Sequence, residues 1–144
     1  MIPQKILAEH LAGVAELEAT TFSEPWSREA LELLLSDRAT GYCLTEGKTV
    51  VAYGSLLYAP DEGQILNLAV APAYQRRGYA KAILSALEAD AREHGALSLF
   101  LEVRESNLPA ISLYKSFGFS LVGTRKNFYR APTETALIFK KDLL

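Results

Sequence analysis

The chain has 144 residues, of which 49% are hydrophobic and 22% are charged, and its formal net charge at pH 7 is −2. This balance predicts a folded globular protein and excludes a disordered chain. No basic stripe is visible, so stable nucleic-acid binding is not expected, and the single cysteine excludes an internal disulfide framework or a clustered-cysteine zinc site.

The length of the chain predicts one domain that spans residues 1–144. The first residues, "MIPQKILAEH", lack the charged and apolar regions of a signal peptide. No apolar run approaches the roughly 18 residues that indicate a membrane span. We therefore expect a soluble cytoplasmic protein without membrane association and without a metal.

The first part of the chain is predicted to form a short strand, two helices and a strand hairpin. Residues 3–8 predict the strand, and apolar residues at helical spacing in "HLAGVAELEATTF" predict the first helix. Pro25 ends that region, and Ser27 is placed to cap the second helix, "REALELLLSD". The strands "GYCLTE" and "TVVAYGSLLYA" follow, joined by a tight turn at "GK".

The second part of the chain alternates strands and helices. "QILNLAVA" predicts a buried strand, and residues 77–94 predict the longest helix, with Gly95 as its C-terminal cap. "LSLFLEV" predicts a central strand, and Asn107 is placed to cap the helix "NLPAISLYKSF". "GFSLVGTRK" and "TALIFKKDL" complete the order βααβββαβαββ, which predicts a mixed α/β sheet with helices on both faces.

The segment "QRRGYA", residues 75–80, lies where a strand turns into the longest helix. A helix start exposes unpaired backbone N–H groups and the positive end of its dipole, which favours phosphate binding. Gly78 lets the backbone approach a ligand closely, and Arg76, Arg77 and Lys81 add positive charge. Arginines in a turn are also typical of solvated surface, and this alternative stays open for Arg77. Neither a Walker A loop nor a dinucleotide fingerprint is present.

The element order and "QRRGYA" together resemble the GNAT N-acetyltransferase superfamily, which binds acetyl-coenzyme A through a Gln/Arg-x-x-Gly-x-Gly/Ala motif. "PWS", "LEVRESN", "AISLYKSFGF" and "RKNFYR" resemble a narrower group, the RimI-type ribosomal-protein-alanine N-acetyltransferases. The resemblance implies a mixed, mostly antiparallel sheet with one splayed parallel strand pair. One segment departs from the pattern: relatives often carry Glu-Asp-Ala where this sequence has Glu134, Thr135 and Ala136, so no substrate contact is assigned there.

The resemblance implies that acetyl-coenzyme A is the cosubstrate. Its diphosphate would lie on the "QRRGYA" backbone, and its pantetheine arm would pair with the preceding strand, where the Val70 amide would face the thioester carbonyl. An ordinary core strand would show the same residues, "LNLAV". The cofactor-binding residues implied are Leu68, Ala69, Val70, Gln75, Arg76, Arg77, Gly78, Tyr79, Ala80, Lys81, Asn107 and Tyr114.

Two residues resemble the family's catalytic pair, Glu102 as general base and Tyr114 as general acid. Each has a structural alternative. Glu102 could pair with Arg104, two residues along the same strand face, and Tyr114 could be an aromatic residue on the core face of its helix. Asn107 serves equally well as a helix cap alone.

The acceptor that the resemblance implies is the N-terminal alanine of a ribosomal protein, acetylated by direct attack in a ternary complex. Trp26, Glu24 and Tyr129 would flank the peptide entrance, although Trp26 could be an apolar anchor and Tyr129 a strand-edge aromatic. An α-amino group, with a pKa of roughly 7.7–8, suits a carboxylate base better than lysine at about 10.4. Two alternatives stay open: acetylation of lysine or a small amine, and a non-catalytic acyl-coenzyme A-binding module.

Overall fold

The computed structural model describes all 144 residues, and its strands and α-helices follow the predicted order βααβββαβαββ. The strands are β1 Gln4–Lys5, β2 Ala39–Glu46, β3 Thr49–Ala59, β4 Glu62–Val70, β5 Ser98–Arg104, β6 Ser120–Tyr129 and β7 Glu134–Asp142. The α-helices are α1 Leu11–Thr21, α2 Arg28–Leu31, α3 Tyr79–Glu93 and α4 Leu108–Ser116, and short 3₁₀ turns lie at Ala8–His10, Glu32–Leu35 and Pro72–Tyr74. None of the helices is long and apolar enough to cross a membrane.

Local capping signals set most of the helix ends. The Ser27 side chain accepts a hydrogen bond from the Ala30 N–H at 3.1 Å, as predicted for the start of α2. Gly95 adopts a φ of 78°, and the Ala96 N–H donates to the Ala91 carbonyl at 3.0 Å. This wrap is a Schellman motif, so the predicted glycine cap of α3 is confirmed.

Several predicted boundaries are wrong. Helix α2 covers only Arg28–Leu31 of the predicted "REALELLLSD", and a 3₁₀ turn over Glu32–Leu35 follows it. Strand β6 covers Ser120–Tyr129 instead of residues 118–126. The first strand has only two residues, because the chain then enters a 3₁₀ turn in which the Leu7 N–H donates to Nδ1 of His10 at 2.9 Å. Helix α3 begins at Tyr79 instead of residue 77, because Gly78 has a left-handed φ of 82° and is the N-cap. The residues before it therefore form a loop.

The seven strands form one sheet in the order β1-β2-β3-β4-β5-β7-β6. Every neighbouring pair is antiparallel except β4 and β5, which are parallel. The parallel register runs from Glu62–Ser98 to Ile65–Leu101 and stops there, although both strands continue. The splayed parallel pair implied by the sequence is confirmed, and the two strands diverge beyond Ile65.

Side chains that alternate along the strands build a core on each face of the sheet. Neighbouring residues such as Cys43 and Leu44 on β2 therefore belong to different clusters. Helices α1 and α2 cover one face, and α3 and α4 cover the other. The prediction of helices on both faces is confirmed.

A buried carboxylate fastens α3 to the sheet. Asp90 is 4% exposed and accepts hydrogen bonds from the hydroxyls of Tyr42, at 2.7 Å, and Tyr58. Burial, followed by the hydrogen bond to Asp90, raises the pKa of Tyr42 to about 12. Both phenols therefore stay protonated and donate to the carboxylate at neutral pH.

We predict that Asp90→Asn lowers the free energy of unfolding by about 1–3 kcal/mol, because one tyrosine hydroxyl then faces an amide donor instead of a charged acceptor. Urea denaturation measures this change. Asp142→Asn is the control, since that side chain is 74% exposed and its ion pair with Lys140 is superficial; a change below about 0.5 kcal/mol is expected there. Equal losses in the two variants would contradict the anchoring role of Asp90.

Candidate active site

A cleft of about 1090 Å³ opens where β4 and β5 diverge. Its walls come from the α1–α2 connection, the end of β4, the start of α3, the end of β5, α4 and the β6–β7 connection. The residues predicted for the site that line this cleft are Glu24, Trp26, Leu68, Ala69, Val70, Gln75, Arg76, Gly78, Tyr79, Ala80, Lys81, Glu102, Asn107, Tyr114 and Tyr129. Arg77 is the predicted site residue that does not line it; its guanidinium lies 5.2 Å from the centre of the Tyr74 ring.

The loop before α3 lies beside an open space. Arg76 and Gly78 both have positive φ, 64° and 82°, and such strain in a non-glycine residue is typical of functional loops. No side chain caps α3, so its first N–H groups keep their capacity to donate. No atom lies within 4 Å of where a Cβ at Gly78 would stand. The residues present therefore fit a phosphate group.

The far end of β4 has a free backbone edge. The Ala71 N–H donates to the Val51 carbonyl of β3 at 2.8 Å, and because alternate residues of a strand point to opposite edges, Leu68 and Val70 direct their backbone groups away from β3. The Val70 carbonyl instead accepts from Nε2 of Gln75 at 3.2 Å. An extended ligand could pair with this edge as an added strand.

Glu102 lies at the fork itself, one residue beyond Leu101, the last position at which β5 pairs with β4. Its Oε1 accepts from Nε2 of Gln64 at 3.3 Å, and Oε2 is buried without a hydrogen-bond partner. The nearest cation is Arg125, whose Nε lies 3.6 Å away. Glu102 is half-buried, and its Oε2 accepts no hydrogen bond but lies within ion-pair distance of the exposed Arg125.

The structural alternative for Glu102 is wrong, because Arg104 pairs with another acid. Its Nη1 lies 3.1 Å from Oε1 of Glu134 on β7. Glu102 also lines a second, smaller cavity of about 230 Å³, together with Glu62 and Gln64. Glu102 therefore borders two cavities.

Tyr114 joins the core and the cleft. It is 7% exposed, its ring meets that of Phe119 edge-on at 5.9 Å, and it lines the cleft. Burial raises the pKa of its phenol to about 12, so the hydroxyl keeps its proton at neutral pH. The core interpretation of this residue holds, because its ring packs against Phe119. The side chain also borders the cavity, and its role as general acid stays a prediction.

Asn107 likewise has a structural role and a position in the cleft. Its Oδ1 accepts from the Ala110 N–H at 3.3 Å, which caps α4 as predicted. The residue also lines the cleft. The cap leaves its amide NH₂ available as a donor.

A buried acid that the sequence analysis did not assign to the site fixes the α1–α2 side of the cleft. Glu18 is 0% exposed; its Oε1 accepts from the Trp26 N–H at 2.8 Å, and Oε2 accepts from Nδ2 of Asn67 at 2.9 Å and from the Tyr53 hydroxyl. The sequence could have predicted that this acid is buried, because Glu18 stands four residues after Val14 on the apolar face of α1.

Arg104 holds the opposite side of the cleft, which the β6–β7 connection and Tyr129 form. Its guanidinium lies 4.5 Å from the centre of the Tyr129 ring, and it donates to the carbonyls of Arg130 at 2.7 Å and Pro132 at 2.8 Å. Burial and the nearby Glu102 charge raise the pKa of Tyr129 to about 12. The Arg104 side chain thus holds the β6–β7 connection through its backbone carbonyls, and no sequence motif predicted these contacts.

A parallel strand pair that splays beside an uncapped helix start, with a carboxylate and a phenol in the same cleft, is the arrangement that the resemblance to acetyltransferases implies. The acetyltransferase (GNAT) family matches residues 11–119, and the chain belongs to this family. It is an acetyl-coenzyme A-dependent N-acetyltransferase.

Relatives with more specific names resemble most of the chain. The [ribosomal protein bS18]-alanine N-acetyltransferase of Haemophilus ducreyi is 36% identical over 132 residues, covering 90% of this chain and 89% of that protein. The enzyme of the same name from Escherichia coli K12 is 34% identical over 119 residues, covering 83% and 80%. The resemblance to the RimI-type group is confirmed.

Solved structures agree with this assignment. The crystal structure of the ribosomal-protein-S18-alanine N-acetyltransferase from Escherichia coli superposes with a TM-score of 0.89 at 30% identity, covering 98% of this chain and 92% of that chain. Ard1 from Thermoplasma volcanium superposes with a TM-score of 0.87 at 25% identity, covering 99% and 97%. The predicted GNAT fold is confirmed.

We predict that Glu18→Gln loosens the loop that carries Trp26, because an amide cannot accept three hydrogen bonds from three donors. The chain has one tryptophan, so its fluorescence reports on this loop directly. A red-shifted emission and stronger acrylamide quenching are expected. Asp90→Asn is the matched control: it also disrupts a buried carboxylate–tyrosine network, but far from Trp26, and should leave the emission unchanged. The same emission change in both variants would rule out a local role.

Proposed function

We propose that this enzyme transfers the acetyl group of acetyl-coenzyme A to the α-amino group of a protein N-terminus, and that its acceptor is a ribosomal protein that begins with alanine. The names of the bacterial relatives support the acceptor. One observation carries the chemistry: Glu102 and Tyr114 border the same cleft at the fork of β4 and β5. Because ribosomal proteins are made in the cytoplasm, the proposal includes a cytoplasmic location.

The cofactor would lie along the free edge of β4 and the start of α3. The amides of residues 76–80 would donate to its diphosphate, with positive charge from Arg76 and Lys81. Leu68 and Val70 would offer backbone groups to the pantetheine arm, and the Asn107 amide would donate to it. When bound, acetyl-coenzyme A supplies an acetyl group as a thioester.

Glu102 is proposed as the general base that takes a proton from the acceptor ammonium. Its Oε2 supports this role, because the oxygen accepts no hydrogen bond and its ion-pair partner, Arg125, is exposed to solvent and 3.6 Å away. An α-amine, with a pKa of roughly 7.7–8, is partly neutral near pH 7.5, whereas a lysine amine at about 10.4 is neutral only about one part in a thousand. A carboxylate base is therefore better matched to a chain terminus.

Tyr114 is proposed as the general acid. Its phenol pKa of about 12, raised by burial, keeps the proton on the hydroxyl throughout the neutral range. The group can therefore donate at the hydroxyl oxygen when negative charge develops in the cleft. The Val70 N–H, on the free edge of β4, is proposed as a second donor.

The acceptor peptide would enter between the α1–α2 and β6–β7 connections. Trp26 and Tyr129 border the cleft from these two sides, and Glu24 offers a carboxylate to a basic peptide. We further propose that residues 1–144 act as one catalytic domain, since all strands belong to a single sheet.

We predict that peptides with a free N-terminal alanine are acetylated, and that N-terminally blocked peptides with an internal lysine are not. Glu102→Gln should lower kcat by about 10²–10⁴-fold, as for loss of a general base, and Tyr114→Phe should lower it within the same range. Mass spectrometry of the products and steady-state rates provide the measurements. Both variants should still bind coenzyme A, and this shows that the loss of activity comes from the reaction step and not from loss of cofactor binding.

Preference for blocked lysine peptides would assign the enzyme to lysine acetylation. Binding of coenzyme A without acetylation of any amine, unaffected by Glu102→Gln, would instead indicate a non-catalytic acyl-coenzyme A-binding module.

We predict that Arg76→Ala raises the Kd for coenzyme A by about 10- to 150-fold, since a charge-assisted hydrogen bond contributes roughly 1.5–3 kcal/mol. Arg77→Ala should change the Kd less than threefold, because its guanidinium lies over Tyr74 outside the cleft. Titration calorimetry compares these two neighbouring arginines directly. A larger effect at Arg77 would contradict the proposed phosphate contact.

A further inference from the structure

Glu102 and Arg104 are close neighbours of opposite charge, yet they do not pair. They stand two residues apart on β5, so their side chains leave the same face of the sheet about 6.6 Å apart along the strand. An arginine at this distance can reach a carboxylate. Its Nη1 instead lies 3.1 Å from Glu134 on β7.

We propose that Glu134 is a positioning residue for the reaction: it holds and neutralises the Arg104 guanidinium, so that Glu102 is left free to act as a base. The inference rests on the proposed function of Glu102. It also gives a role to the acid of the "TETALIF" segment, in which the sequence departs from the pattern of its relatives.

The contacts of Arg104 show how firmly it is held. Nη1 also donates to the Pro132 carbonyl at 2.8 Å, and Nη2 donates to the Arg130 carbonyl at 2.7 Å. The face of the guanidinium lies against the Tyr129 ring. These neutral contacts fix its direction, but of the groups that contact it only Glu134 carries a compensating charge.

Glu134 is itself held in place by a second contact. Its Oε2 accepts from the Ser106 N–H at 2.6 Å, and Oε1 faces Arg104. The hydrogen bonds from Ser106, with those from Arg104, keep the pKa of Glu134 below its usual value. The residue is therefore ionised at neutral pH, as the neutralisation of a guanidinium requires.

The surroundings of Glu102 contain little other positive charge. Gln64 and Glu62 face it from β4, and Tyr129 and Arg125 face it from β6. Arg125 is 59% exposed and 3.6 Å away, so solvent weakens its influence.

A carboxylate that is paired with a guanidinium is a weaker base, since the cation favours the unprotonated form. Without the charge of Glu134, the Arg104 guanidinium would stabilise the ionised form of Glu102. This would hold whether the guanidinium turned towards Glu102 or kept its present position. In either case the proposed base would accept a proton less readily.

The test is a double-mutant cycle with Glu134→Gln and Arg104→Gln, in which kcat and the KM for an alanine-terminated peptide are measured. Glu134→Gln alone should lower kcat about tenfold, because the guanidinium is no longer neutralised. Arg104→Gln alone should raise the acceptor KM several-fold by freeing the β6–β7 connection, with kcat within about threefold of the original enzyme. The double variant should have the kcat of Arg104→Gln, above that of Glu134→Gln, while its acceptor KM stays as high as in Arg104→Gln.

Recovery on removal of the cation is a result that a merely structural role cannot give, because the double variant lacks more contacts than either single one. A kcat in the double variant as low as in Glu134→Gln, or an unchanged kcat in Glu134→Gln, would overturn the inference. Glu105→Gln is the matched control: this neighbouring acid is exposed, and its loss should leave kcat unchanged. Urea unfolding of each variant shows whether it is folded.

Glu102→Gln, measured alongside, separates this inference from the proposed function. Loss of activity in Glu102→Gln with full kcat in Glu134→Gln refutes only the role of Glu134. Full activity in Glu102→Gln refutes the base assignment, and the inference then fails with it.

Discussion

The divergence of β4 and β5 is the constraint on which the rest of the site depends. Strand β4 is held along one edge by β3, whose pairing continues to Val70, so it cannot turn to follow β5 beyond Ile65. The backbone groups at Leu68 and Val70 are left without a strand partner on the open side, and such groups are tolerated only where solvent or a ligand can satisfy them. The fork therefore creates both the cleft and the edge along which an extended cofactor can lie.

Two connections that border the cleft are each held by an acid that accepts a backbone N–H. Glu18 holds the α1–α2 connection through the Trp26 N–H, and Glu134 holds the segment before α4 through the Ser106 N–H. Hydrogen bonds to ionised acceptors are stronger than neutral ones, and loops that carry function need such support because they have few contacts of their own. Two flexible connections thereby become defined walls on either side of Glu102 and Tyr114.

Most of the fold could be predicted from the sequence because its signals are local. Ser27, Asn107 and Gly95 mark helix ends through hydrogen bonds to residues a few positions away, and all three act as predicted. The errors also have local causes. Helix α3 begins only after Gly78, because that residue has a left-handed conformation. The first strand is shorter than predicted, because a 3₁₀ turn follows it. All the predicted site residues except Arg77 line one cleft, because the resemblance identified both the fold and the motif positions.

The sequence by itself determined the order of elements and the helix start that is proposed to bind phosphate, and its resemblance to a family identified the proposed acid–base pair. The tertiary structure decided which groups pair with the charged side chains Arg104 and Glu18. Arg104 could pair with Glu102 by sequence spacing, but the strand order β5-β7-β6 brings Glu134 within 3.1 Å of it. Glu18 lies 49 residues from Asn67 along the chain and meets it only because α1 packs on β4. Charge pairing depends on distance in space, and only the packed sheet defines those distances.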